Sequence, residues 1–216
     1  MNTVDCIKSR RSIRRFKPDS VKHSLVEEII SAASFSPSWK NTQITRYIAI
    51  EDSSLLGKIA DDFTPSYNSD IIRQTPVLIA VTYIKGRCGF ERDGSYTTGK
   101  KDRWQMFDAG VACQTFCLAA HEYGLGTVIM GVFDESGISS LLDIPKEREL
   151  AALIALGYPD IEPSAPKRKT VEDLLQLRGS ERDPSAQYPA GSTRPLCRPG
   201  CETAAGNRRC AAQRLP

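Results

Sequence analysis

The chain has 216 residues, 40% of them hydrophobic and 25% charged, with 29 Lys and Arg against 26 Asp and Glu for a net charge of +3 and a mean hydropathy of −0.33. That length accommodates one domain with a substantial core plus a tail, and the near balance of charge excludes a protein whose whole surface is built for a polyanion. With no run of about eighteen apolar residues and no apolar leader after Met1, the reading is a soluble cytoplasmic protein with no membrane partner.

The positive charge is unevenly placed. From Arg178 onward seven arginines stand against three acidic residues, and Leu196 and Leu215 are the only members of the Val, Ile, Leu, Met, Phe set. That is about +4 in the tail, which leaves about −1 for residues 1–177. A stretch so poor in branched apolar residues cannot bury enough surface to offset its ordering entropy, so 178–216 is expected to be a disordered Arg, Pro, Gly and Cys-rich tail, or a frame-shifted or expression-derived end. Three of the seven cysteines (Cys197, Cys201, Cys210) lie there, and one Cys-x-x-x-Cys pair without a partner His falls short of a zinc signature, so no metal is expected.

Residues 4–9 read as a short helix with Val4 and Ile7 inward. It leads into Arg10-Arg11-Ser12-Ile13-Arg14-Arg15-Phe16, four guanidiniums and a hydroxyl in seven residues. Arginine presents a planar fork that stays charged and matches phosphate oxygens two at a time, so the cluster reads as an anion cradle for a phosphorylated ligand. A solvated charged face and a nucleic-acid arm are the alternatives. If the stretch is extended, Arg10, Ser12 and Arg14 point one way and Arg11, Ile13 and Arg15 the other.

Ser24 opens a second helix, with Glu27 completing a capping box and Leu25, Ile29, Ala32 and Ala33 forming its apolar stripe up to Pro37. The loop Pro37–Gln43 is dense in hydrogen-bonding side chains that suit a heterocycle edge, or else is a plain polar turn, and it precedes a strand over 46–50. Helices over 53–61 and 66–73 lead to a continuously apolar strand at 77–83, buried on both faces. Residues 86–101 read as a surface loop and candidate lid. The longest helix spans 102–123, with Phe107, Val111, Gln114 or Thr115, and Leu118 along one side and Gly124 as its cap; Cys113 and Cys117 are small core residues. A strand over 128–133, a helix over 134–142 capped by Asp134 and a buried strand over 150–157 follow, and then a second basic cluster, Lys167-Arg168-Lys169.

Taken together, the arginine stretch, Pro37-Ser38 with Asn41 and Gln43, Trp104 with Asp108-Ala109-Gly110, Gly124-Leu125-Gly126-Thr127, and Gly157-Tyr158-Pro159 before Lys167-Arg168-Lys169 resemble the nitroreductase family of FMN-dependent oxidoreductases over residues 1–177. The resemblance implies an α+β fold, a central mostly antiparallel sheet flanked by helices, in an intertwined homodimer with FMN between the subunits. It implies that Arg10, Arg11 and Ser12 hold the FMN phosphate and ribityl chain, with Arg14 at the N1 and O2 edge of the ring. Ser38, Asn41 and Gln43 resemble the loop that reaches the flavin from the other subunit, Asn68 a residue near the ring edge, and Ile129, Met130 and Gly131 the strand end along the ring. Lys167 and Arg168 resemble the late basic pair on the phosphate. Trp39 and Lys40 depart from the smaller residues common there.

The activity so implied is hydride transfer from NADH or NADPH through flavin N5 to a small-molecule acceptor such as a nitroaromatic or quinone, with ping-pong kinetics and no nucleic acid. Because the cofactor does this chemistry, His23 and His121 need not be catalytic. Other reactions on the same flavin, reductive dehalogenation or flavin cleavage, and a non-redox phosphate-binding or nucleic-acid-binding module remain the alternatives.

Overall fold

A computed structural model describes residues 1–178. The tail expected from residue 178, apart from Arg178 itself, lies outside the described residues, as do its three cysteines. The chain forms two units, Met1–Pro166 and a second from Lys167, whose described part holds only a one-turn helix, Val171–Leu174, capped by Thr170 and Asp173.

In the first unit four strands make one sheet in the order β1-β2-β4-β3, every neighbouring pair antiparallel. The strands are β1 (Thr45–Ile50), β2 (Val77–Ile84), β3 (Gly126–Met130) and β4 (Arg148–Gly157). Helices cover both faces: α1 (Thr3–Ser9), α2 (His23–Ala33), α3 (Ser53–Asp62), α4 (Ser66–Ile72), α5 (Arg103–Glu122) and α6 (Glu135–Leu141). With both faces covered, β2 and β4 carry apolar side chains at consecutive positions, and alternation sorts them into two cores. Leu78, Ala80, Leu153 and Ala155 meet α3, α4 and α6 through Leu56, Ile59, Ile72 and Ile138. Val77, Ile79, Val81, Ile154 and Leu156 meet α2 and α5 through Val26, Ile29, Cys113 and Phe116. The expected α+β class and antiparallel sheet are what the chain adopts.

One bulge matters for the site. Val81 pairs with Ala152 but Thr82 with Leu150, so Ala151 is an extra residue on β4. The bulge returns Leu150 to the face of Leu153 and turns Ala151 toward a third cluster, built on Ile44, Tyr83, Cys88 and Ala109 beside Trp39 and Trp104.

Several local expectations are corrected. In α1, Val4 and Ile7 are 49% and 51% exposed and Cys6 is the buried residue. No capping box starts α2, because the helix begins at His23 and puts Ser24 inside the first turn; its buried face is Val26, Ile29 and Ala33, and it ends well before Pro37. In α5 the row of Phe107, Gln114 and Leu118 faces away from the core, with Phe107 60% exposed. The buried face carries Gln105, Asp108, Ala109, Ala112, Cys113, Phe116, Cys117 and Ala120 instead, because a helix lying close on a sheet admits mostly small side chains beneath it. The helix ends as expected on Gly124 at φ 77°, with Leu125 N–H on Ala120 O and Gly124 N–H on His121 O closing a Schellman motif. The strand expected over 128–133 runs from Gly126 to Met130, the stretch that has a partner in β4. The 86–101 segment is anchored, with Cys88 fully buried and Phe90 bridged to Tyr96.

Candidate functional site

The arginine stretch begins as the C-cap of α1 at Arg10 and is then laid across the β3–β4 pair. Ser12 forms a parallel bridge with Thr127, Ile13 N–H donates to Thr127 O at 2.9 Å, Phe16 bridges Pro159, and Lys17 N–H donates to Tyr158 O at 2.9 Å. Two glycines make this crossing possible. Gly126 and Gly157 face each other across the strands; a Cβ on Gly126 would sit 2.6 Å from Ile13 Cγ1, and one on Gly157 would sit 2.6 Å from Pro76 Cδ and 3.0 Å from Phe16 Cδ1. Three motifs far apart in sequence, the arginine stretch, Gly124–Thr127 and Gly157–Asp160, thus meet at one place.

They line an open cavity of about 820 Å³ that Arg10, Arg11, Lys17, His121, Glu122 and Glu162 also border. Glu122 is held by the Met1 amine at 2.6 Å and Asp160 by Arg15 at 2.7 Å, whereas Arg10, Arg11 and Lys17 have no carboxylate partner among the described residues. Arg11 donates through Nη1 to Lys8 O at 2.6 Å and to Arg10 O at 2.9 Å, which turns it toward the end of α1. The simple alternation expected for the stretch is therefore broken: neighbouring Arg10 and Arg11 border one cavity, Ile13 is core, and Ser12 and Arg14 do not border it. Burial first, and then the Arg10 guanidinium, hold the His121 imidazole below its ordinary range. Lys17 was missed in the sequence although it directly follows Phe16 of the arginine stretch, and His121, set aside there as not catalytic, stands three residues before Gly124.

Ser38 and Gln43 border a different cavity of about 330 Å³, with Tyr47, Asp108 and Ala112. The loop is conformationally unusual: Lys40, Asn41 and Gln43 have φ of 45°, 54° and 48°, a region that side chains avoid unless the surroundings enforce it. Ser38 Oγ accepts from Gln43 N–H at 3.1 Å, and Gln43 Nε2 donates to Asn41 Oδ1 at 3.1 Å. Asp108, only 4% exposed, accepts through Oδ2 from Trp39 N–H at 2.8 Å and from Cys88 Sγ at 3.1 Å. Burial, and then this carboxylate, push the Cys88 thiol up to about 12, so the sulfur keeps its proton and acts as the donor. An acidic residue on the mostly apolar buried stripe of α5 was the available signal for that role.

Asn68 is buried, and its Nδ2 donates to Val132 O at 2.8 Å, fixing the chain just beyond β3. Along β3, Ile129 is 44% exposed and Met130 is buried, while Gly131 is exposed with open space where a side chain would stand. Lys167 and Arg168 are exposed, in the second unit.

The chain is similar to known proteins. The chain is 31% identical over 167 residues to a putative NADH dehydrogenase/NAD(P)H nitroreductase of Methanothermobacter thermautotrophicus, covering 76% of this chain and 80% of that protein. It is 26% identical over 178 residues to a 5,6-dimethylbenzimidazole synthase of Rhodospirillum rubrum, covering 73% and 82% of the two chains. An FMN-dependent nitroreductase of Clostridium difficile superposes with a TM-score of 0.67 at 22% identity, over 82% of this chain and all of that one. The profile of the nitroreductase family matches residues 7–68 and 63–158, which takes in the arginine stretch, Asp108 and both glycines of the crossing, and this chain belongs to that family.

Proposed function

We propose that this protein is an FMN-dependent oxidoreductase in which Arg10 and Arg11 hold the phosphate, with Ser12 beside them at the bridge to Thr127 serving the ribityl chain. The observation that carries this reading is the crossing of the arginine stretch over Gly126 and Gly157, which gathers three motifs around a cavity of about 820 Å³. That volume lies in the range of cofactor sites, and cations without carboxylate partners are the chemistry a phosphate dianion needs. Ile129, Met130 and Gly131 suit the ring: one exposed apolar side chain is followed by a glycine with nothing above it. Asn68 keeps that strand end in place through Val132.

FMN held there would supply hydride-transfer chemistry between NADH or NADPH and an acceptor such as a nitroaromatic or quinone. Arg14 is exposed and has no ion pair among the described residues, so its fixed positive charge is available to the pyrimidine edge of the ring. Ser38, Asn41 and Gln43 serve the cofactor of a second subunit. In one protomer Ser38 and Gln43 border a cavity separate from that of Arg10 and Arg11, and their loop leaves Trp39 Nε1 and Thr42 Oγ1 buried without hydrogen-bond partners. A homodimer also accounts for Val4, Ile7, Met106 and Phe107, apolar and about half or more exposed on two helices.

Residues 1–177 constitute the functional body and 178–216 an appendage to it. The likeness to a 5,6-dimethylbenzimidazole synthase favours a second reading, in which the same site serves a different flavin reaction. Purified protein with a flavin spectrum, assayed with both nicotinamides against nitroaromatic, quinone and haloaromatic panels, separates these. Colourless protein that takes up no added FMN refutes both and leaves a phosphate-binding module.

A further inference from the structure

We propose that Asp108 is a positioning residue that sets the Pro37–Gln43 loop and couples it to the Gly86–Lys101 segment. The proposal rests on the flavin-contacting role given above to that loop. A single oxygen, Asp108 Oδ2, receives Trp39 N–H at 2.8 Å from the loop and Cys88 Sγ at 3.1 Å from the segment. One helical turn earlier on the same buried face, Gln105 Oε1 accepts from Gly86 N–H at 2.7 Å, so α5 holds the start of the segment at two points. A second tie joins loop to segment directly, Lys40 Nζ to Glu91 Oε1 at 3.1 Å.

The loop needs such restraints. Lys40, Asn41 and Gln43 all sit at positive φ, and its only internal side-chain bonds are those of Ser38 and Asn41 with Gln43. Backbone in that region persists only where contacts from outside over-determine it. The outside contacts are Asp108, Glu91, the Arg46 guanidinium on Gln43 O at 2.7 Å and the ring of Trp104, which lies 4.9 Å from that of Trp39 at 43°. Gly89, at φ 84° and tight against Lys101 O, fixes the fold of the segment, and with it the position of Cys88. Whatever displaces the segment therefore acts on the loop through the Asp108 carboxylate and through the Lys40–Glu91 pair.

Trp39 and Trp104 are the only tryptophans in the chain, so their coupled near-ultraviolet circular dichroism reads the loop directly, with or without cofactor. The experiment compares wild type, Asp108→Asn and Cys88→Ala, measuring that signal in the FMN-free protein and the FMN dissociation constant of each. Asp108→Asn is expected to diminish the signal and weaken FMN binding by roughly fivefold, the worth of turning charge-assisted bonds at that oxygen into neutral ones. Cys88→Ala leaves Asp108 and both tryptophans in place and is expected to alter the same signal, with a roughly twofold to fivefold weaker FMN affinity. If Asp108→Asn does not fold, Cys88→Ala decides by itself. Unchanged tryptophan signals and FMN affinities in the folded variants overturn the proposal. A wild type that takes up no FMN refutes the proposed function instead, and the tryptophan signal still decides whether Asp108 couples the two elements.

Discussion

Replacing Gly126 by alanine tests the crossing on which the site is built. The backbone of Gly126 lies outside the left-handed region, so an alanine there is conformationally ordinary and the cost is purely steric. The new Cβ would stand 2.6 Å from Ile13 Cγ1, 2.8 Å from Ile13 Cβ and 3.0 Å from Ile13 Cγ2. Rotating the side chain moves Cγ1 and Cγ2, but Cβ moves only with the backbone, and Ile13 N–H is bonded to Thr127 O at 2.9 Å. The arginine stretch must therefore lift off β3. Overpacking of this kind costs about 1–3 kcal/mol, which for a domain of this size lowers Tm by roughly 2–12 °C. Lifting the stretch also misplaces Arg10 and Arg11, and losing one charge-assisted bond to phosphate weakens FMN binding by roughly 10- to 100-fold. Calorimetry and flavin fluorescence titration read the two effects. Combining Gly126→Ala with Ile13→Ala removes two of the three close contacts and should be less damaging than the sum of the single changes, a coupling of about 0.5–3 kcal/mol. If Gly126→Ala has the wild-type Tm and FMN affinity, the stretch does not depend on that glycine and the reasoning fails.

Other perturbations separate the remaining parts. Arg14→Ala is expected to lower the reduction potential of bound FMN and slow its reduction, and spectroelectrochemical titration with unchanged potential would remove Arg14 from the mechanism. Asn68→Ala strands the Val132 carbonyl and should cost about 1–3 kcal/mol in urea unfolding, so a loss below the error of the measurement would mean that Val132 finds another donor. Phe107→Glu puts a charge on the exposed row of α5 and should leave a monomer by light scattering; an intact dimer would place the seam elsewhere. His23 lies 2.6 Å from Glu51, whose hydrogen bond and charge raise the imidazole above its ordinary value of about 6.5. Its contribution is thus fully present below about pH 6.5 and disappears as the pH rises through the raised folded value. His23→Gln should lower Tm only on the acidic side, and an equal deficit at alkaline pH contradicts that assignment.

How far the sequence was legible differed from element to element. The apolar runs of β2 and β4 were plain because burial on both faces leaves few polar positions, Thr82 in β2 and Arg148 and Glu149 at the start of β4. The caps at Asp134 and Gly124 were read because each depends on a few adjacent residues. The buried face of α5 was read in part: Cys113 and Cys117 were recognised as core residues, but size also suggested Phe107 and Leu118, where proximity to the sheet selected Ala109 and Ala112. In the site, the residue types were visible but their partners were not. Nothing in the spacing of Asp108 tells that its carboxylate receives both Trp39 and Cys88, because the two lie 69 and 20 residues away.

By itself the sequence determined which segments extend or coil, that Gly124 caps α5 and which side chains carry charge, because propensity, capping and periodicity are settled within a few residues. The tertiary structure alone decided that Ile13 rests on Gly126 and Phe16 near Gly157, that Arg10 and Arg11 border a cavity apart from that of Ser38 and Gln43, and that a bulge at Ala151 turns β4 toward Trp39 and Trp104. Those are contacts between residues remote along the chain, and only burial of the two cores against one sheet brings them within reach.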